Sequence, residues 1–357
     1  MGALLACLTF PLQAQTPRRV VILPAAATIE VGRTVQLGAT VIGARRATLR
    51  VAPRWTSLDT SKAHVSATGL VLARDTGVVT IVASAGAARG FTRITIGPAV
   101  LVGAGDIGAC DLPGARETGL LLDRIPGTVF TTGDNAYPNG TAAQFSTCYE
   151  PFWGRQKART RPTPGNHDYR VPGGAAYFAY FGAAAGERAR GWYAYDLGGW
   201  RVYALNSMEA EGVGSEQERW LRADLAARPR RCVLAYWHHA RFSSGPHHTN
   251  GRTAALFQAL YDAGADVVVT GHDHDYERFA PLSADGTPNA ARGVREFVVG
   301  TGGGGLYDFG QIERGSEFRY NAGWGVLKLT LYPRSYTWQF LGAGDGRVLD
   351  AGAGSCR

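Results

Sequence analysis

Five short blocks of the chain carry side chains able to bind metal ions: "GAGDIG" with Asp106, "GDNAY" with Asp134 and Tyr137, "GNHD" with Asn166, "WHH" with His238, and "GHDH" with His272 and His274. Each lies at the C-terminal end of an apolar, strand-like run or in the short loop after it, and most are flanked by glycine. Carboxylates, an amide oxygen and neutral imidazoles, with no soft sulfur, make a donor set suited to two divalent or trivalent ions. One carboxylate can bridge two ions about 3.5–4 Å apart, and such a pair can hold a phosphoryl group while activating water for in-line attack. A single Asp after a strand is most often a turn or cap residue. Five blocks repeating one placement are not explained that way, because in an open α/β sheet that edge is where loops converge on a ligand.

Gly103, Gly105 and Gly108 have the G-x-G-x-x-G spacing of a dinucleotide-binding turn, with Asp134 placed where a ribose-binding acid would lie. Such a turn runs straight into a helix whose N-terminus receives the pyrophosphate. Here "ACDLPG" follows, Pro113-Gly114 is expected to keep that helix from starting, and Asp106 would set a carboxylate beside the pyrophosphate. The glycines are therefore assigned to the ligands: those beside Asp106, Asp134, Asn166 and His272 are expected to let the backbone turn sharply.

The ordered blocks Gly105-Asp106, Gly133-Asp134, Gly165-Asn166-His167-Asp168, His238 and Gly271-His272-Asp273-His274 resemble the signature of calcineurin-like metallophosphoesterases, from about Pro98 to the C-terminus. Position 108 is Gly where many members carry a histidine, and Tyr137 stands in its place, as in purple acid phosphatases, where a tyrosinate binds ferric iron. A phenol of pKa near 10 needs a strongly acidic metal ion to bind as the anion. The resemblance implies a four-layer α/β/β/α sandwich and two metal ions. Asp106, Tyr137 and His274 would hold Fe(III), Asn166, His238 and His272 would hold Fe(II), Zn(II) or Mn(II), and Asp134 would bridge them. His247 and His248, in "HHARFSSGPHH", and His167 match the positions that bind phosphate oxygens, as Asn166 would too, and protonate the leaving group. The implied reaction is hydrolysis of phosphate monoesters by a metal-bound hydroxide. A phosphodiesterase or nucleotidase on the same metals, and an exported binding or adhesion protein with a degenerate site, are the alternatives. Asp168 stands where plant and animal purple phosphatases commonly have Glu, and Ala240 where proline is frequent. His239 would point away from its neighbour along a strand. The loop Gly302–Gly305 is expected near the site, and that loop and the Gly-, Ala- and Tyr-rich stretch from Arg170 to Trp192 are the candidates to set substrate choice.

The elements that position these blocks alternate between strand-like and helical runs: "AVLVGAGD", "ARETGLLLDRI", "GTVFTTGDNAY", "SEQERWLRADLAA", "RRCVLAYWHH", "RTAALFQALYDAG" and "ADVVVTGHDHD". That is an α/β layout. In "SEQERWLRADLAA", Trp220, Leu221 and Leu225 share a face, and Ser215 with Glu218 predicts a capping box. From residue 18 to 97 the character differs. Short β-branched runs such as "RVVIL", "TVQLGATVI", "GVVTIVAS" and "FTRITI" predict a small β-sandwich. This part resembles bacterial Ig-like domains, with Trp55 in the core and Gly69-Leu70-Val71 at a hairpin, and implies a spacer or a cell-surface attachment. Gly97-Pro98 marks the boundary, so residues 98–357 form the second domain.

The net charge of +8 comes almost entirely from arginines scattered without a run, which predicts a solvated basic surface rather than a nucleic-acid footprint. Residues 1–15, "MGALLACLTFPLQAQ", read as a signal peptide with a shortened start, and Leu4-Leu5-Ala6-Cys7 resembles a lipidation site. No later run reaches membrane-spanning length. The expectation is a secreted, periplasmic or surface protein acting on a small phosphorylated substrate. In such a compartment Cys110, Cys148, Cys232 and Cys356 predict disulfides. Four cysteines permit three pairings. Cys110 with Cys148 and Cys232 with Cys356 are expected, because the first two follow candidate site turns, while Cys232 opens an apolar strand and Cys356 is penultimate.

Overall fold

The computed structural model describes residues 16–188, 190–249 and 251–357; the expected signal peptide and Cys7 lie outside the described residues. The chain divides into two compact units, one ending at Gly97 and one running from Pro98 to Arg357.

The first unit is all β, with sheets of three, four and three strands. The strand Ala88–Gly97 shows why: its side chains alternate between buried and exposed, placing Ile94 and Ile96 inside and Phe91 and Arg93 outside, as the two-residue period of a strand requires. Two expectations need adjusting. "TVQLGATVI" is two strands in different sheets, Thr34–Gln36 and Gly38–Ile42, separated at the buried Leu37. The stretches Arg54–Ser57 and Ala63–Val65 are also strands. Trp55 packs half-buried on the core, and Gly69, at φ +84°, turns between paired strands where a Cβ would come 2.6 Å from the Leu37 carbonyl oxygen.

The second unit is a four-layer α/β/β/α sandwich. One sheet has the order Thr160–Thr163, Thr128–Thr132, Ala99–Ala104, Gly325–Tyr332, Ser335–Gly342, Val348–Ser355; the other Tyr193–Leu197, Trp200–Ala204, Val233–His239, Val267–Gly271, Val294–Val299, Tyr276–Leu282, Ser316–Tyr320. Leu101, Phe130 and Leu329 from the first meet Leu234, Val269 and Phe297 from the second in one buried core. A second core, with Leu221, Leu225, Phe257 and Leu260, seats the helices Glu216–Ala227 and Ala254–Asp262 on the outer face of the second sheet. Trp220 is only partly buried against it.

Two local readings are corrected. A helix does begin at Gly114, with Pro113 at its N-cap; proline is tolerated there because its missing N–H is one the helix start leaves unpaired anyway. The detour through "ACDLP" still separates that helix from the Asp106 turn. The capping box at Ser215 is half formed: Ser215 Oγ accepts from Glu218 N at 3.2 Å, but Glu218 Oε2 accepts from Gly214 N at 3.1 Å rather than from Ser215 N. A reciprocal box forms instead at Thr141 and Gln144. Disulfides join Cys110 to Cys148 and Cys232 to Cys356. No helix among the described residues is long and apolar enough to cross a membrane.

Candidate metal centre

Parallel pairing of Ala99–Ala104, Thr128–Thr132 and Thr160–Thr163 in one sheet, and of Trp200–Ala204, Val233–His239 and Val267–Gly271 in the other, sends the blocks off the same ends of both sheets. The first two loops are stitched together by their backbones. Asp106 N donates to Gly133 O at 3.0 Å, Ile107 N to Asp134 O at 2.9 Å, Gly108 N to Asn135 O at 3.0 Å, and Tyr137 N back to Gly108 O at 2.9 Å. Asp106, Asp134 and His272 themselves take the left-handed conformation, at φ 61°, 49° and 72°. Strain of this kind, about 1–3 kcal/mol per residue, persists where surrounding structure enforces it.

The glycines therefore do a different job from the one expected. Of those preceding ligands only Gly133 has positive φ. Gly105, Gly165 and Gly271 provide space: a Cβ would come 2.3 Å from Thr132 Oγ1, 2.2 Å from Asp134 Oδ1 and 2.6 Å from Asp106 Oδ2, respectively.

All seven expected ligands converge. Tyr137 OH lies 2.8 Å from Asp106 Oδ1, 3.1 Å from Asp134 Oδ2 and 3.0 Å from His274 Nε2. His238 Nε2 lies 2.9 Å from Asn166 Oδ1, 3.2 Å from His272 Nδ1 and 3.5 Å from Asp134 Oδ2. Asp134 Oδ2 thus touches both groups of three. The tautomers are set from behind. His238 Nδ1 donates to Thr132 O at 2.8 Å and His274 Nδ1 to Gly305 O at 2.6 Å, leaving each Nε2 to face the centre.

These residues fit metal ions. The Nε2 of His238 carries no proton, because burial lowers the ring's pKa and its proton sits on Nδ1, yet it faces an amide oxygen and a carboxylate oxygen. Lone pairs meeting lone pairs in a buried place call for a cation. Burial and the neighbouring Asp106 push the Asp134 carboxyl up to about 7, and burial, then Asp106 and Asp134, push the Tyr137 phenol well above 10. Burial opposes charge on His274, but Asp106 beside it raises its pKa overall. Asp134, Tyr137 and His274 thus favour their protonated forms, while Asp106, His238 and His272 favour the forms that can bind a cation.

Around this centre the three further histidines separate. His167 N donates to Asp134 Oδ1 at 2.7 Å, and its Nδ1 donates to Pro138 O at 2.6 Å, leaving Nε2 3.8 Å from Asp134 Oδ2. His247 stacks on His272 with ring centroids 3.9 Å apart, and its Nδ1 donates to Asp273 Oδ1 at 2.8 Å. His248 is not brought to the centre. It is exposed, at φ 60°, with its ring against Gly310. His239 lies closer than strand alternation suggests, its ring 4.4 Å from that of His272, because the strand pairing shifts register between Tyr236 and His239. Ser207 holds it there at 2.8 Å.

Several supporting residues have no signal in sequence spacing. Asp168, fully buried, accepts from Asn135 N and Nδ2 and from Gly165 N, tying the second block to the third. Asp273, inside "GHDH", accepts from Ser243 Oγ at 2.5 Å as well as from His247. Tyr307 stacks on His274 at 4.1 Å, and its only clue is the glycine run just before it. That run does reach the site, since Gly304 N donates to Asp106 O at 2.7 Å. The stretch from Arg170 to Trp192 instead packs Tyr177, Phe178 and Phe181 into the core.

Two sheets with helices on both outer faces, and carboxylates and imidazoles gathered at one edge, define a calcineurin-like phosphoesterase. Residues 102–276 match that family's model, and residues 18–96 match the bacterial Ig-like domain, group 2. Residues 102–276 thus belong with the calcineurin-like phosphoesterases, behind an Ig-like domain. Within the family the chain is similar to purple acid phosphatases. It is 27% identical over 195 residues to purple acid phosphatase 15 of Arabidopsis thaliana, covering 44% of this chain and 37% of that protein. It is 30% identical over 238 residues to an uncharacterized protein of Mycobacterium tuberculosis, covering 54% and 45%. The chain thus matches less than half the length of either relative. Its fold is similar to that of the purple acid phosphatase PPD1 from yellow lupin (Lupinus luteus), with a TM-score of 0.63 at 16% identity over 96% of this chain and 74% of that one.

Proposed function

We propose that the chain is an exported, binuclear metal-dependent phosphatase that hydrolyses phosphate monoesters, as its likeness to purple acid phosphatases suggests. The observation that carries this reading is the pair of three-donor groups sharing Asp134 Oδ2. Asp106, Tyr137 and His274 would hold one ion, taken as Fe(III) because of the phenolate; Asn166, His238 and His272 would hold Fe(II), Zn(II) or Mn(II). Two ions bound there supply charge against the phosphoryl oxygens and acidify water. The chain's own groups do the rest. His167, held by the Pro138 carbonyl, presents Nε2 beside Asp134 and binds a phosphoryl oxygen when protonated. His247, fixed through Nδ1 by Asp273, presents Nε2 to deliver a proton to the leaving alkoxide, work suited to an imidazole. The two disulfides support an oxidising compartment.

The test is hydrolysis of an aryl phosphate monoester beside the matching diester, on protein purified without chelators and again after metal stripping. A chelator-sensitive rate favouring the monoester is expected, with Asp134→Ala losing both metal and turnover. Preference for the diester would move the assignment to a phosphodiesterase. Full metal content without turnover of either would favour a binding protein.

A further inference from the structure

A cavity of about 490 Å³ opens beside the centre, and Tyr137 and His274 form part of its wall. That volume lies within the range of small-molecule sites and far exceeds what a phosphate group needs. The rest of its lining is mostly apolar: Ala109, Leu112, Pro138, Ala143 and the Cys110–Cys148 disulfide. Two polar side chains there are tied to the fold through their oxygens. Gln144 Oε1 accepts from Asn139 N and Thr141 N, and Thr147 Oγ1 donates to Ala143 O at 2.8 Å. Among the described lining residues Asp111 is the one carboxylate, and none is a lysine or arginine.

Resting on the phosphatase reading above, we propose that this cavity receives the alcohol half of the substrate, and that the substrates are phosphoesters of compact apolar alcohols, aryl or short alkyl, rather than polyanions. Tyr137 and His274 belong both to the centre and to the cavity wall, so a substituent carried by a phosphoryl group at the centre can extend into the cavity. An apolar ring there loses water on both sides and needs no polar partner. A second phosphate would meet the Asp111 carboxylate and find no lysine or arginine among the described lining residues, so it would be left without a cationic partner there. Selectivity then arises from what the wall lacks as much as from what it offers.

Binding of non-hydrolysable phosphonates to the metal-loaded protein, followed by calorimetry, tests this. Phenylphosphonate should bind about tenfold more tightly than methylphosphonate. Ala143→Trp, at an exposed helix position, should erase that gain while leaving methylphosphonate and inorganic phosphate unchanged. Equal binding of the two phosphonates, survival of the gain in Ala143→Trp, or inositol hexakisphosphate binding as tightly as phenylphosphonate would each overturn the assignment. Failure of inorganic phosphate to bind at all would strike the phosphatase reading itself, and this inference with it.

Discussion

Gly165→Ala is the most searching single substitution, because it adds one methyl group and removes no donor atom. The new Cβ would stand 2.2 Å from Asp134 Oδ1 and 2.4 Å from Asp134 N, where 3.4–4 Å is ordinary contact. Relief therefore needs a displacement of about 1 Å. Asp134 has little freedom to give it. Its backbone is held at φ 49°, and the oxygen that must move is the one accepting from His167 N at 2.7 Å. Overpacking of this kind costs about 1–3 kcal/mol, which in a domain of this size lowers Tm by roughly 2–12 °C. The larger effect is on the site, since a misplacement of about 1 Å can cost around 100-fold in rate. The assay pairs metal content by elemental analysis with thermal unfolding, using Gly212→Ala as control, because a Cβ there meets nothing within 4 Å. Expected are a bridging site that no longer retains both ions and a modest fall in Tm, with the control unchanged. A Gly165→Ala protein with wild-type metal content and Tm would refute the argument that this glycine exists for space around Asp134.

Other consequences follow from single contacts. His247→Ala should lower turnover of an aryl phosphate by about 100-fold or more, whereas His248→Ala, whose ring rests by Gly310, should stay within about threefold; equal losses in steady-state kinetics would contradict the geometry. Burial pushes Glu296 from 4.5 up to about 8, so between those values the folded protein holds a proton that the unfolded chain has released, and stability falls as pH rises through that window. Glu296→Gln should flatten the fall of Tm from pH 5 to pH 8, and an unchanged slope would remove Glu296 as a source. Replacing Cys232 and Cys356 together by Ala opens a loop of 124 residues and should cost up to about 5 kcal/mol in guanidinium unfolding, more than the loss of Cys110–Cys148, which spans 38. The reverse order would show that loop closure does not govern these bonds.

The convergence of the seven candidate ligands was legible because each declares itself by its own side chain, and because strand-like runs place each block at the same edge. The disulfide partners were legible for a related reason, as each cysteine adjoins an element whose place could be read. What stayed hidden is the aim of those side chains. Asp134 points correctly because Gly165, far along the chain, leaves it room and because Asp168 binds Asn135 beside it. His247 faces His272 because Asp273, itself fixed by Ser243, accepts from it, while His248, identical and adjacent, turns away. Residue type and spacing carry no record of such pairs, which exist only once neighbouring strands settle into register. The same argument explains why the glycines were misjudged: as sequence they suggest turning, but the left-handed turns fall on the ligands themselves, and most of the glycines make room for them. Substitutions at these silent positions should therefore separate fold from chemistry more cleanly than loss of a ligand, since they leave every donor atom in the chain and change only where it points.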